Sequence, residues 1–304
     1  MQTTSHILMI RPVSFSFNAQ TAVNNAFQSN SNAEDAQQRA LDEFDQFVNL
    51  LRKNGVDVIV VDDTREPHTP DSIFPNNWVS FHRDGTLLLY PMYAENRRAE
   101  RKPHVLEKIS SQFRIERKID LSNYEKEGLF LEGTGSMVLD RDNRIAYACL
   151  SPRTNVQVLN DFCRQMNYRP VLFDAVDETG KPIYHTNVMM CVADQYVVIC
   201  LDSIRNKEQR AATEKAILGA GKKLIPISYS QMNHFAGNML QVENNEGEKL
   251  LIMSSQAFDS LTSHQVQLLT GYNRIIYSGL TTIETNGGGS ARCMMAEVHL
   301  PEKN

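Results

Sequence analysis

His185-Thr186-Asn187-Val188-Met189 is one of five places where a small or polar residue sits just ahead of a Met or bulky apolar residue that opens an apolar run. The others are Phe74-Pro75-Asn76-Asn77-Trp78, Glu132-Gly133-Thr134-Gly135-Ser136-Met137, Ala236-Gly237-Asn238-Met239 and Ser290-Ala291-Arg292-Cys293-Met294. With Asn77, Ser136, Asn187, Asn238 and Cys293 taken as equivalent, the steps are about 59, 51, 51 and 55 residues. A near-constant period of that size marks repeated supersecondary units. If the motifs of a closed repeat face one axis, the carboxylate of Glu132, the imidazole of His185 and the thiol of Cys293 meet there. A nucleophile, its acid/base and the group that orients it are such a trio.

Working outward from each motif, a turn and a second apolar strand follow. Leu87-Leu88-Leu89-Tyr90 comes after Arg83-Asp84-Gly85, and Ile145 to Cys149 after Arg141-Asp142-Asn143. Tyr196 to Cys200 and Leu250 to Met253 repeat the pattern. Asp, Asn and Gly between apolar runs are hairpin chemistry. A helical segment comes next. From Thr154 to Asn167 the apolar residues Val156, Leu159, Phe162, Cys163 and Met166 fall at the three-four spacing of one face. Glu208 to Gly219 and Ser260 to Gly271 fill the same slot later. Each unit closes on a further strand: Val171 to Phe173, Leu224 to Ile227 and Arg274 to Tyr277.

The fifth copy stops soon after Glu297-Val298-His299-Leu300, and its missing pieces lie at the other terminus. Ile7 to Ile10 supplies its second strand, Ala33 to Lys53 its helix and Val56 to Val61 its last strand, so the two ends of the chain close the ring. Residues 12 to 32, rich in Asn, Ser and Gln, read as a loop by composition. Loops of that length are often functional, and this one is either a lid over the site or a plain excursion.

With 304 residues, 41% of them hydrophobic, there is ample material for a core. A formal charge of −5 without blocks of like charge speaks against a nucleic-acid or membrane partner. No stretch approaches the ~18 apolar residues of a membrane span, and no basic segment followed by a long apolar core suggests a secretory signal. The five cysteines are scattered and lack a CxxC pair. That points to reduced thiols in the cytoplasm, against disulfides and against a cysteine zinc site.

Five strand-strand-helix-strand units in a closed ring resemble the α/β propeller, or pentein. The stretch Gly287-Gly288-Gly289-Ser290-Ala291-Arg292-Cys293-Met294 resembles the nucleophile segment of the guanidine-modifying enzymes. These are arginine deiminase, agmatine deiminase, dimethylarginine dimethylaminohydrolase and the amidinotransferases. Leu131-Glu132-Gly133-Thr134-Gly135 resembles their acidic motif and Tyr184-His185-Thr186-Asn187 their histidine motif, in the same order along the chain. The resemblance spans essentially the whole chain and implies a single catalytic domain over residues 1–304. Within the superfamily the chain is most similar to the citrulline utilisation hydrolases, which implies conversion of citrulline to ornithine, carbon dioxide and ammonia. Arginine deiminase or dimethylarginine hydrolase chemistry is the alternative, and an amidinotransferase stands behind it. A non-catalytic binding module, as in the ribosome-binding initiation factors of that fold, is disfavoured by the presence of Glu132, His185 and Cys293 together.

The resemblance makes Cys293 the nucleophile, His185 the proton carrier and Glu132 the orienting carboxylate. Three glycines ahead of Cys293 let the backbone approach a planar substrate. Cys149, Cys163, Cys191 and Cys200 lie in apolar strands or on a helix face and read as small buried hydrophobes. His234 has no motif behind it. Pro70-Asp71-Ser72-Ile73-Phe74 resembles the substrate loop of the dimethylarginine hydrolases, which makes Asp71 and Phe74 candidate substrate contacts. After Phe74 those enzymes place acids where Asn76 and Asn77 stand here, and the deiminases carry His-x-Asp where this chain has His185-Thr186-Asn187. A guanidinium offers only donors and suits carboxylates. A neutral ureido group offers a carbonyl that an asparagine amide can satisfy. Asn77 and Asn187 thus point to a ureido substrate. Ser151-Pro152-Arg153-Thr154-Asn155 resembles a stretch whose arginine binds the substrate carboxylate, making Arg153 the candidate there. Asn96-Arg97-Arg98 occupies the equivalent slot of the first repeat, with Arg98 as a second candidate. The expected partner is a small amino-acid substrate bearing a ureido or guanidino group, and the thiol chemistry requires no metal or organic cofactor.

Overall fold

The computed structural model describes residues 1–30 and 35–303. The expected helix start at Ala33 and the end of the 12–32 loop lie outside the described residues. Five three-stranded sheets form, one per repeat. In the first blade Val79–Phe81 pairs antiparallel with Thr86–Leu89, which runs parallel to Arg117–Asp120. The second has Val138–Asp140, Ile145–Cys149 and Arg169–Phe173 in the same relation. Met190–Val192, Tyr196–Ile199 and Lys223–Pro226 make the third, and Leu240–Glu243, Lys249–Ser254 and Arg274–Ser278 the fourth. The fifth joins the termini: Ala296–Glu297 pairs antiparallel with His6–Arg11, with Ile7 opposite Glu297, and His6–Arg11 runs parallel to Asp57–Asp62. A hairpin suffices for the antiparallel pair of each of the first four blades, but a parallel pair needs a crossover. Helices supply it: Pro103–Gln112, Val156–Met166, Lys207–Gly219, Ser255–Ser260 with Ser263–Thr270, and Ala36–Lys53.

The helices form where the sequence places an apolar stripe, with two differences in detail. In Val156–Met166, capped by the Asn155 side chain on Gln157 N, the buried residues are Val158, Leu159, Phe162, Cys163 and Met166. Val156, expected on that face, sits at the first helical position on the edge of the stripe and is exposed, and Val158 takes its place. The single helix expected from Ser260 to Gly271 is two. Thr262 accepts from Gln265 N and Gln265 reaches back to Thr262, a capping box that starts a new helix there.

The motifs themselves lie ahead of the strands, and His185 caps a helical turn. Pro75–Asn77, Gly133–Ser136 and Thr186–Met189 are single helical turns that come just before the first strand of their blades. Gly and Asn suit such turns because they are depleted from strands, and Ser, Thr and Asn because their side chains bond to nearby backbone. Successive turns are tied together. Thr134 Oγ1 donates to Asn76 O (3.3 Å), Thr186 Oγ1 to Ser136 O (2.6 Å) and Asn238 Nδ2 to Asn187 O (2.9 Å), while Arg292 N donates to Asn238 Oδ1 (3.1 Å). The Ala296–Glu297 strand packs on Val79–Phe81 and closes the circuit. The polar residues of the motifs therefore converge.

Candidate active site

Glu132 and His185 stand immediately before the second and third motif turns. His185 Nε2 lies 2.8 Å from Glu132 Oε2, and both residues are at most 2% exposed. Cys293, in the fifth motif, shares with His185 the wall of a small cavity of about 10 Å³. It is the only one of the five cysteines on that wall. Close approach depends on Gly135: a Cβ there would lie 2.5 Å from Asn77 Nδ2 and 2.8 Å from His185 Nδ1. Asn77 and the free nitrogen of His185 thus converge on one point. On the other side Gly287 and Gly289 back onto the Phe74 ring, where a Cβ would come within 2.8 and 2.9 Å of it. Gly288 adopts φ +65 against Asn25, a conformation glycine takes without penalty.

The charged groups are arranged in two sets. Arg97 makes a two-point contact with Glu100 (2.8 and 2.9 Å) and donates to Asn77 Oδ1 (2.8 Å). Arg153 lies 3.5 Å from Glu132 and 4.9 Å over the Tyr184 ring. Its remaining donors go to the 12–32 loop: to Thr21 O at 2.7 Å and to Asn24 Oδ1 at 2.8 and 2.5 Å. Asp71 accepts from Asn18 Nδ2 (2.8 Å) and Thr21 Oγ1 (3.1 Å) in the same loop, and its Oδ1 has no partner. The loop thus lies over the cavity, with Thr21 and Asn25 on its wall. A larger cavity of about 430 Å³ opens beyond Tyr184, bordered by Phe27 and Phe235, and none of Glu132, His185 and Cys293 reaches it.

Electrostatics assign the protonation states. Burial pushes Glu132 up, but the Arg153 charge, the hydrogen bond from His185 and the Arg97 charge outweigh it and hold the carboxyl well below its usual range. Burial lowers His185 to about 4 against the pull of Glu132. At neutral pH an ionised Glu132 thus accepts from Nε2–H of a neutral His185, which leaves Nδ1 as the basic nitrogen. Burial raises Asp71, opposed by Arg97, and raises Glu100 to about 7. Burial also pushes Cys149, Cys163 and Cys191 up to about 12 and Cys200 to about 11, the behaviour of inert thiols.

Of the residues singled out in the sequence, Glu132, His185, Cys293, Asp71, Asn77, Arg153 and Phe74 come together. Asn187 lies against the Cys293 sulfur, with Nδ2 at 3.4 Å, and its Oδ1 is unpartnered. Arg98 does not join them: it is spent on Met92 O and Tyr93 O and lies near the Phe130 ring. On the short helix Glu95–Arg98 the adjacent Arg97 turns inward instead. Asn238, whose Nδ2 is 3.3 Å from Cys293 Sγ, was visible only as the polar member of the fourth motif. Nothing in the sequence marked Asn18, Thr21 and Asn24 as contacts of Asp71 and Arg153. Among the described residues no group of three or more His, Cys, Asp or Glu is placed to hold a metal ion, and no helix is long and apolar enough to cross a membrane.

Five three-stranded blades around these motifs define the chain as a five-bladed α/β propeller of the pentein class. Residues 11–300 match the family described as N,N dimethylarginine dimethylhydrolase, eukaryotic. The chain belongs to that family, and is by that membership a hydrolase acting on carbon–nitrogen bonds other than peptide bonds. No curated protein sequence matches it significantly. Among solved structures it is similar to apo ArgZ, an arginine dihydrolase from the ornithine–ammonia cycle in cyanobacteria, with TM-score 0.76 and 20% identity over 97% of this chain and 41% of that one. The chain therefore spans about two fifths of that ArgZ chain. It covers 98% of the product-bound N-terminal domain of ArgZ (TM-score 0.75, 19% identity, 97% of this chain). It is also similar to a dimethylarginine dimethylaminohydrolase adduct with S-methyl-L-thiocitrulline (TM-score 0.65, 14% identity, 97% of this chain and 99% of that one). At these identities the likeness speaks to the fold alone.

Proposed function

We propose that this chain hydrolyses citrulline to ornithine, carbon dioxide and ammonia, with Cys293 as nucleophile. His185 Nδ1 takes the thiol proton as Sγ attacks the ureido carbon and the carbonyl electrons move to oxygen. The carbonyl re-forms as the bond to the ornithine nitrogen breaks, and the proton on His185 passes to the departing amine. A carbamoyl group is left on sulfur. Water then gives a proton to Nδ1 and attacks the same carbon, the C–S bond breaks as that proton returns to Sγ, and the released carbamic acid falls to carbon dioxide and ammonia. Glu132 fixes the tautomer of His185 throughout.

The observation that carries the substrate is the setting of Asn77. Arg97 has donors only, so the oxygen of Asn77 is the atom turned to it, at 2.8 Å. The NH2 of Asn77 therefore faces the other way, beside His185, with one hydrogen to spare after its bond to Asn76 Oδ1 (3.1 Å). A spare amide donor on the cavity wall fits a ureido carbonyl. A second reading, arginine as substrate, is favoured by the unpartnered Asp71 Oδ1, an acceptor suited to a cation. Acid quenching during citrulline turnover should trap one carbamoyl group on the peptide that carries Cys293, seen by mass spectrometry. An unmodified Cys293 under steady turnover would sink the covalent route.

A further inference from the structure

The sulfur of Cys293 receives two side-chain amides, Asn187 Nδ2 at 3.4 Å and Asn238 Nδ2 at 3.3 Å. Those distances suit N–H···S hydrogen bonds, in which the sulfur accepts. Both asparagines are at most 1% exposed. Cys293 lines the cavity and neither asparagine does. The amides thus reach the sulfur from the side of the third and fourth blades and leave its cavity face free. Asn238 is held rigidly, its second N–H on Asn187 O (2.9 Å) and its oxygen on Arg292 N (3.1 Å), next to the cysteine. The guanidinium groups of the cavity are engaged elsewhere, Arg97 by Glu100 and Arg153 by Glu132 and the loop. Among the described residues, these two amides are the hydrogen bonds that reach Sγ.

We propose that Asn238 and Asn187 are catalytic residues: their amides hold the Cys293 sulfur from behind and stabilise the anion formed when its proton leaves. A hydrogen bond to a charged form favours that form, and two rigid donors in a buried site need no rearrangement as charge develops. The same amides fix the direction of the sulfur, so the attacking lone pair points into the cavity. This inference rests on Cys293 being the nucleophile, and its test does not require that the substrate be known.

The test is the pH profile of Cys293 alkylation by iodoacetamide, followed on its peptide by mass spectrometry. Asn238→Ala also removes the bonds to Asn187 O and Arg292 N, so a folding defect is a risk there. Asn187→Leu is the cleaner variant, because its side chain makes no hydrogen bond but the one to sulfur. In each variant the profile should move to higher pH by about one unit, with alkylation at pH 7 slowed about tenfold, the size expected for one charge-assisted bond. A merely structural role would lower thermal stability without moving the profile. If Asn187→Leu melts like the wild type and its profile superimposes on the wild type, the inference is overturned. Shifted profiles in a protein that leaves citrulline untouched would uphold the amide donors and overturn the substrate reading instead.

Discussion

His185 is held neutral by its burial and correctly turned by Glu132, and that combination sets a pH dependence. Its Nδ1 is the base, and protonating it removes that function. Because burial lowers the imidazole to about 4, kcat/KM should stay level from neutral pH down through the usual histidine range near 6.5. It should fall only as pH drops through about 4. A rate profile for the purified enzyme that falls instead around pH 6.5 would show His185 solvated, and the buried pair with Glu132 would lose its role. The neighbouring Asn77 permits a second test. Asn77→Asp sets a carboxylate against Arg97 and removes the donor proposed for the ureido carbonyl. In a Cys293→Ser background, calorimetry should show citrulline binding weakened by about tenfold or more, the cost of a buried donor lost and an acceptor put in its place. Arginine should be weakened less or strengthened. Equal loss for both ligands would remove Asn77 from the choice of substrate. Some of this was legible in the residues. Glu132, His185 and Cys293 each sit in a copy of one motif, so the period brings them together. Whether Arg97 or Arg98 turns inward was not legible. Adjacent residues on a helical turn differ by about 100° in direction, and only the packing of the turn decides between them.

The 12–32 loop is the element the sequence leaves open between a lid and a plain excursion. In the structure Asn18, Thr21 and Asn24 bond two charged residues far along the chain, Asp71 and Arg153. Polar composition cannot distinguish a loop that bonds water from one that bonds buried charges, since both need the same donors and acceptors. The cavity beneath it, about 10 Å³, is too small for a free amino acid, which needs well over ~100 Å³. For the proposed amino-acid substrate to reach Cys293 the loop would have to lift, and the substrate carboxylate would compete with Asn24 Oδ1 and Thr21 O for Arg153. Arg153→Ala should weaken citrulline by about 2–5 kcal/mol, the cost of leaving a buried charge unpaired. The decarboxylated analogue N-carbamoylputrescine should lose much less, as measured by kcat/KM for the two compounds. A similar loss for both would make Arg153 a latch for the loop rather than a carboxylate reader.

At the scale of the whole molecule the ring is closed by its ends. The last strand, Ala296–Glu297, pairs with His6–Arg11 and lies beside Val79–Phe81, so the fifth blade holds together residues nearly 300 positions apart. This closure was legible, because the truncated fifth repeat and the unassigned strands near the N-terminus complete each other. The charges that secure it were not, since ion pairs leave no period in a sequence. Glu297 is buried between Arg292 (2.7 Å) and Arg141 (3.4 Å), whose charges outweigh its burial and hold it well below the usual carboxylate range. Glu297→Ala leaves the buried guanidinium groups of Arg141 and Arg292 without a counter-ion and should cost about 3–5 kcal/mol of stability, read by denaturant unfolding. A change within about 0.5 kcal/mol would show that the closure rests on apolar packing alone.

The measurement that reaches the centre of the account sets citrulline, arginine and methylated arginines side by side with the wild-type enzyme and Cys293→Ser. Products are identified by mass spectrometry. Citrulline should yield ornithine, carbon dioxide and ammonia in equal amounts, arginine and its methylated forms should react poorly, and Cys293→Ser should lose several powers of ten in rate on every substrate. Efficient turnover of arginine with citrulline left intact, or undiminished activity of Cys293→Ser, would contradict it.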